Sequence, residues 1–190
     1  MMIRYVMVLV MLGLLTGCGG PAQQYILSET SGVQRGGHHA PSQIGVDRVA
    51  VPAYLIGSKI PIQSAKGALS YCDSAAWATE ADKGITQHMI IYLQKYFATP
   101  SVYRYPWDIE HKDGVRTKII ITRLIYVEAK KAVELEANYF VETLRGTGRR
   151  AHLFHTSVPV RKGETPLIVE AMNTALDRLA AEVARTIARF

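Results

Sequence analysis

Three consecutive runs constrain the fold of this chain more than any other feature. "VRTKIIITRLIYVE" (Val115–Glu128), "KAVELEANYFVETL" (Lys131–Leu144) and "RRAHLFHTSVPV" (Arg149–Val160) are separated only by "AK" and "RGTG". Period-two runs joined by such short turns predict an antiparallel meander, because short hairpin loops connect antiparallel neighbours. In the middle run Val133, Leu135, Ala137, Tyr139 and Val141 share one face, and Glu134, Glu136, Asn138 and Glu142 share the other. One face of the sheet is therefore expected to be wet. The first run is apolar on both faces, which predicts a central strand.

Two amphipathic helices are expected to cover the opposite face. Trp77, Ala81, Ile85, Met89, Leu93 and Phe97 recur every four residues, predicting a helix over about 74–98, capped by Asp73 or Ser74 and stopped at Thr99-Pro100. Gly84 weakens its middle. A second helix is expected to begin with Thr165 as cap and Pro166 in the first turn, with Ile168, Met172, Ala175, Leu176, Leu179, Val183 and Ile187 as its buried stripe. Arg185 and Arg189 suit its C-terminal dipole. Upstream, "QYIL" reads as an edge strand. "IGVDRVAVP" (Ile44–Pro52) changes phase at Asp47 and Arg48 and predicts a bulged strand, "AYLIGSKIPIQ" turns through Gly-Ser into another, and "ALSYC" (Ala68–Cys72) is a short third. Pro52 and Pro61 favour strand ends or edges. The fold class expected is α+β: a two-layer domain, mainly antiparallel sheet with two long amphipathic helices on one face.

The N-terminus belongs to a different category. After Arg4, ten nearly unbroken apolar residues run from Val6 to Leu15. A spanning helix needs about 20, so the run has the length of a signal-peptide core. It ends in "LTGC" (Leu15, Thr16, Gly17, Cys18), which resembles the lipobox of bacterial lipoproteins. That resemblance implies cleavage between Gly17 and Cys18 and acylation of Cys18, dividing the chain into a removed signal peptide (1–17), a lipidated tether (18–24) and one domain (25–190). Gly19, Gly20 and Pro21 follow the cysteine where an inner-membrane retention signal would place Asp, so the resemblance implies the periplasmic face of the outer membrane. Loss of Arg4 leaves 21 basic against 16 acidic residues, a net charge of +5. An export signal removes nucleic acid from the partners of a basic surface and leaves anionic lipid head groups or an acidic protein. Cys72 is then the one cysteine with a free thiol, and it reads as a small buried residue rather than a redox centre.

No set of residues spells catalysis. Asp108, Glu110, His111 and Asp113 cluster in "WDIEHKDG", which is ordinary turn composition before a strand. His38 and His39 lack a third ligand at a useful spacing. His152 and His155 are three steps apart on one strand and face opposite ways. "RGTGRR" lacks the GxxxxGK[ST] spacing of a phosphate-binding loop. The chain is read as a non-enzyme with no metal and no cofactor.

With these elements in place, "YIL", "IGVDRVAVPAYL", "YCDSAAWATEADKGITQHMIIYLQKYF" and "LIVEAMNTALDRLAAEVARTIA" are similar to the ABC-type transport auxiliary lipoproteins, the family of the lipoprotein component of the Pqi system. The similarity runs from Tyr25 to about Ile187. It is strongest at Val51, Pro52, Tyr54 and Leu55 and at the pair Trp77 and Ala78, while Ile56 and Thr79 stand where the family often has acidic residues. The resemblance implies an accessory subunit that docks an MCE-domain transport protein at the outer membrane, in a system moving lipids or other hydrophobic molecules. It also implies contact with outer-membrane lipids through acylated Cys18 and a homo-oligomer matching a ring-shaped partner. Exposed strand edges or the loop from Glu29 to Gln43 are the expected interfaces. A stand-alone lipid-binding or envelope-stress lipoprotein is the alternative.

Overall fold

The backbone of one 13-residue strand has to be satisfied along both of its edges, and the rest of the sheet is arranged to do so. The computed structural model describes residues 22–27, 30, 33, 40–106, 113–146 and 148–190. Its elements are β1 (Gln23–Tyr25), β2 (Ile44–Asp47), β3 (Lys59–Gln63), β4 (Leu69–Trp77), α1 (Ala81–Phe97), β5 (Val102–Tyr105), β6 (Val115–Val127), β7 (Ala132–Thr143), β8 (Arg149–Pro159) and α2 (Thr165–Ile187). β6 pairs with β7 from Val115↔Thr143 to Val127↔Ala132, and β7 pairs with β8 from Ala132↔Pro159 to Glu142↔Arg149. This is the expected meander, and its two hairpin turns use left-handed backbone at Lys131 (φ 48°) and Gly146 (φ 70°).

No single strand serves the other edge of β6. β2 runs parallel to its first residues (Ile44–Val46 beside Val115–Thr117), Ala50 bridges Ile120, and β3 runs parallel to its last two (Ile62↔Tyr126, Gln63↔Val127). Between these partners the ladder is interrupted. There the Leu124 N–H donates to the Tyr54 hydroxyl at 3.1 Å, while the Tyr54 carbonyl accepts from the Tyr71 hydroxyl at 3.2 Å. Burial raises the Tyr54 phenol above its ordinary value, against the opposing pull of the Leu124 bond. A side chain thus stands in for a strand, which matters because a buried N–H left without an acceptor costs about 1–3 kcal/mol.

The sheet is mixed, and this corrects the expectation of a mainly antiparallel one. Four of the seven strand pairings are parallel: β1 with β4, β2 with β5, β2 with β6 and β3 with β6. Short hairpins fix direction only between neighbours in sequence, whereas the pairing of β2 with β5 comes from a crossover through α1. Pro61 lies inside β3, between β4 and β6, at a register shift between Lys59 and Pro61. The phase change at Asp47 and Arg48 is an interruption rather than a bulge. β2 ends at Asp47, Val49 N–H donates to the Thr86 hydroxyl of α1 at 3.0 Å, and Ala50 rejoins β6.

The boundary of the first helix also differs. Residues 73–77 belong to β4, because β1 and β3 capture them as ladder partners (Gln23↔Ala75, Lys59↔Ala76, Tyr25↔Trp77), so Asp73 and Ser74 cap nothing and α1 starts after Glu80. The stripe from Ala81 to Phe97 is nevertheless buried as expected. Gly84 has a specific reason to be glycine: a Cβ there would meet Leu27 Cβ and Thr79 Oγ1 at 3.2 Å. At α2 the cap position is Glu164, Thr165 is the first helical residue and Pro166 follows in the first turn. All seven stripe residues of α2 are fully buried. α2 packs on β6, β7 and β8, α1 packs on β2 and β5, and the helices pack on each other, which leaves the far face of the meander open.

On that open face one residue departs from the alternation. Glu134 is buried, held by Arg123 Nε at 3.0 Å and by Lys130, while Arg123 also reaches Gln63 Oε1 at 2.6 Å. The Lys130 bond holds the Glu134 carboxyl below the usual range, burial opposes it, and the charges of Lys130 and Arg123 add to the depression.

Two predictions follow from these contacts. Tyr54→Phe removes the acceptor for Leu124 and should cost about 1–2 kcal/mol, a fall in Tm of about 2–4 °C per kcal/mol for a domain of this size, with faster amide exchange at Leu124. Because the folded state depresses the pKa of Glu134, its stabilising contribution is present above the unfolded value of about 4.3 and disappears as pH falls through the lower folded value. The stability gap between the wild type and Glu134→Gln, measured by urea unfolding, should therefore narrow towards acid pH.

Candidate functional site

β1 is the first described element, and its attachment to the rest of the fold is where the site begins. β1 is a short edge strand parallel to β4, and Tyr25 C=O accepts from Ala78 N–H at 2.7 Å. Leu27 then turns inward and lies against Gly84. One turn further along α1, His88 is 0% exposed. Its Nδ1 is 2.7 Å from the Leu27 carbonyl and its Nε2 is 2.9 Å from Asp177 Oδ1 on α2. Both partners present acceptor oxygens to the ring nitrogens. One buried side chain therefore ties the exit of β1 to both helices. The sequence does not display this contact, since His88 and Asp177 are 89 positions apart and a lone histidine within an apolar helical stripe carries no motif.

Of the two motifs, "WA" meets this attachment, Trp77 pairing with Tyr25 and Ala78 donating to it, while "VPAYL" lies beside β6. Val51 and Pro52 are half-buried and lead into a 3₁₀ turn, Ala53–Leu55. Leu55 and Trp77 are buried, Tyr54 closes the gap beside β6, and exposed Ala78 donates to β1. The Trp77 indole N–H finds no acceptor among the described residues.

Other candidates are dispersed. Gly17 and Cys18 lie outside the described residues, as do His38, His39, Asp108, Glu110 and His111. Asp113, just before β6, pairs with Arg145 of the β7–β8 turn. Cys72 is half-buried rather than a core residue, because β4 lies towards one margin of the sheet. Its Sγ is 3.2 Å from Thr165 Oγ1 and 3.6 Å from Ser74 Oγ. Burial pushes the thiol up, but the hydrogen bonds from Thr165, Ser74 and the backbone at Ser74 and Ala75 bring it below its ordinary value. His152 stacks on Tyr139, with centroids 5.0 Å apart, on the helix side, while His155 is exposed on the other face. Among the described residues there is no group of three potential metal ligands, and no helix is long and apolar enough to cross a membrane.

The open face presents fixed charge and a shallow depression of about 350 Å³ lined by Thr122, Glu136, Asn138, Leu153 and His155. Arg116 is bidentate to Asp47 (2.8 and 2.7 Å), lies 3.5 Å from Glu142 and covers the Tyr105 ring at 4.3 Å from its centroid. Arg149 lies over Phe140 in the same manner at 4.7 Å.

This geometry defines a mixed α+β module with two helices on one sheet face and an N-terminal strand secured against both of them. The sequence matches the family described as ABC-type transport auxiliary lipoprotein component over residues 25–184, and the chain belongs to that family. The fold is shared with a crystal structure of a protein from Xanthomonas campestris, at 16% identity and a TM-score of 0.74, covering 87% of this chain and 95% of that one. It is also shared with a crystal structure of an uncharacterized protein at 16% identity and a TM-score of 0.71, covering 88% and 99%. No curated protein matches the sequence. The family is one of transport accessories rather than of enzymes.

The β1 attachment gives a prediction. His88→Leu removes the donor shared by Leu27 and Asp177 and should lower unfolding stability by about 2–3 kcal/mol. His88→Gln, which keeps one donor, should recover part of the loss in the same urea titration.

Proposed function

We propose that this protein is an outer-membrane lipoprotein, anchored on the periplasmic face by acylated Cys18, that docks an MCE-domain protein within a system carrying lipids or other hydrophobic molecules between membranes. The observation that carries the reading is the coincidence of the family match over residues 25–184 with "LTGC" at 15–18 immediately upstream. The fold supports it in one respect. β1 begins at Gln23, so only five residue steps separate it from Cys18, a reach of at most about 18 Å. A domain so tethered stays beside the bilayer, where the protein at the far end of an intermembrane assembly has to be held. Three acyl chains fix it there, because each buried CH₂ contributes about 0.8 kcal/mol. A homo-oligomer presenting repeated docking surfaces suits a ring-shaped partner, and the sheet edges or the segment 29–43, most of which lies outside the described residues, are the candidate surfaces for it.

Processing and partnership test separate halves of this proposal. Cys18→Ser should accumulate as an uncleaved, unacylated precursor, read by mass and by membrane fractionation; normal processing of that variant would falsify the anchor. The wild-type protein in mild detergent should co-purify with an MCE-domain protein, and bound phospholipid without any such protein would favour a lipoprotein acting alone.

A further inference from the structure

The three free edges of the sheet differ in length and charge. Among the described residues, β8 has 11 residues and pairs only with β7, whereas the free edges at β1 and β5 have 3 and 4 residues. From Arg145 to Gly163 the chain carries Arg145, Arg149, Arg150, Arg161 and Lys162 and no carboxylate. Arg149, Arg150 and Arg161 have no acidic partner among the described residues. Instead, Arg149 and Arg150 rest on the rings of Phe140 and Phe190. A long edge strand is a template for a further strand.

Beside its C-terminal half lies a groove of about 360 Å³ between β8 and α2, lined by Val158, Val160, Leu167 and Ala171 together with Arg161 and Glu170. On the opposite face Leu153 is 88% exposed. An added strand would thus meet aliphatic side chains on both faces, with Arg161 and Glu170 at the margin of the groove. Across the edge, Arg178 Nη1 donates to the Ser157 carbonyl at 3.1 Å and the Thr156 hydroxyl at 2.9 Å, so a cationic side chain already supplies a donor to the β8 backbone. A second copy is a poor occupant. Two edges without carboxylates would be set about 4.8 Å apart, and like charges across paired strands are destabilising.

We propose that β8 accepts an acidic, extended segment of a partner protein as a ninth strand, its aliphatic side chains seated over the groove and its carboxylates matched to Arg149, Arg150 and Arg161. The proposal leans on the accessory-subunit reading only for which protein supplies the segment; the recognition chemistry belongs to β8. Charge complementarity accelerates such an encounter and weakens it in salt, while backbone pairing fixes its register.

The test uses the full-length protein in mild non-ionic detergent and three short capped peptides: one alternating Glu and Val, one alternating Lys and Val, and the Glu-Val peptide N-methylated at alternate residues. Fluorescence anisotropy should show saturable binding of the Glu-Val peptide, at least about tenfold weaker binding of the Lys-Val peptide and none of the N-methylated one. Hydrogen exchange should slow along residues 149–159. The combined variant Arg149→Glu, Arg150→Glu, Arg161→Glu should invert the charge preference. Arg161→Glu alone, lying past the strand, should weaken Glu-Val binding and serves if the triple variant does not fold. Equal binding of the two unmethylated peptides, unchanged exchange in β8, concentration-dependent protection of β8 without peptide, or protection by phosphatidylglycerol vesicles in place of peptide would each overturn the proposal. Such a failure, with MCE co-purification intact, moves the docking surface elsewhere and leaves the accessory role standing.

Discussion

The rest of the sheet depends on the need to satisfy the backbone of β6. On one side β7 does this in a continuous antiparallel ladder, but on the other two short parallel strands share the task and leave a gap. Tyr54 closes that gap with its hydroxyl while Leu55 beside it enters the core. The "VPAYL" segment is therefore a structural plug. Its aromatic residue needs both a ring to fill space and an oxygen to accept, a combination that phenylalanine and serine each half supply.

The same logic governs the N-terminal attachment. β1 contributes only three ladder residues. The additional hold comes from Leu27, packed where Gly84 leaves room, and from the His88 and Asp177 pair that joins its carbonyl to both helices. Gly84 costs the helix about 1 kcal/mol relative to alanine, and that cost permits the close approach. This junction joins β1 to both helices rather than to a loop.

Periodicity made much of the framework legible. β6, β7 and β8 match their predicted runs to within one or two residues, and every stripe residue of α2 is buried, because alternation and a 3.6-residue repeat report directly which side chains leave water. The start of α1 was misread for the same reason. Trp77 falls in phase with the helical stripe, but the backbone of 73–77 is claimed by β1 and β3, and no side-chain pattern records a ladder partner elsewhere in the chain. The absence of a legible catalytic set matches membership of a transport-accessory family, whereas the contacts of His88, Tyr54 and Glu134 were invisible to spacing.

By itself, the sequence determined the meander, the buried faces of the helices, the family and the linear motif at Cys18, all of which depend on local pattern or on a short peptide read in extended form. Tertiary structure decided strand direction, the end of β4, the plug at Leu124, the buried histidine and the cationic free edge of β8. Each of these depends on which distant backbone or side-chain group arrives at hydrogen-bonding distance, and that is fixed only when the chain closes on itself.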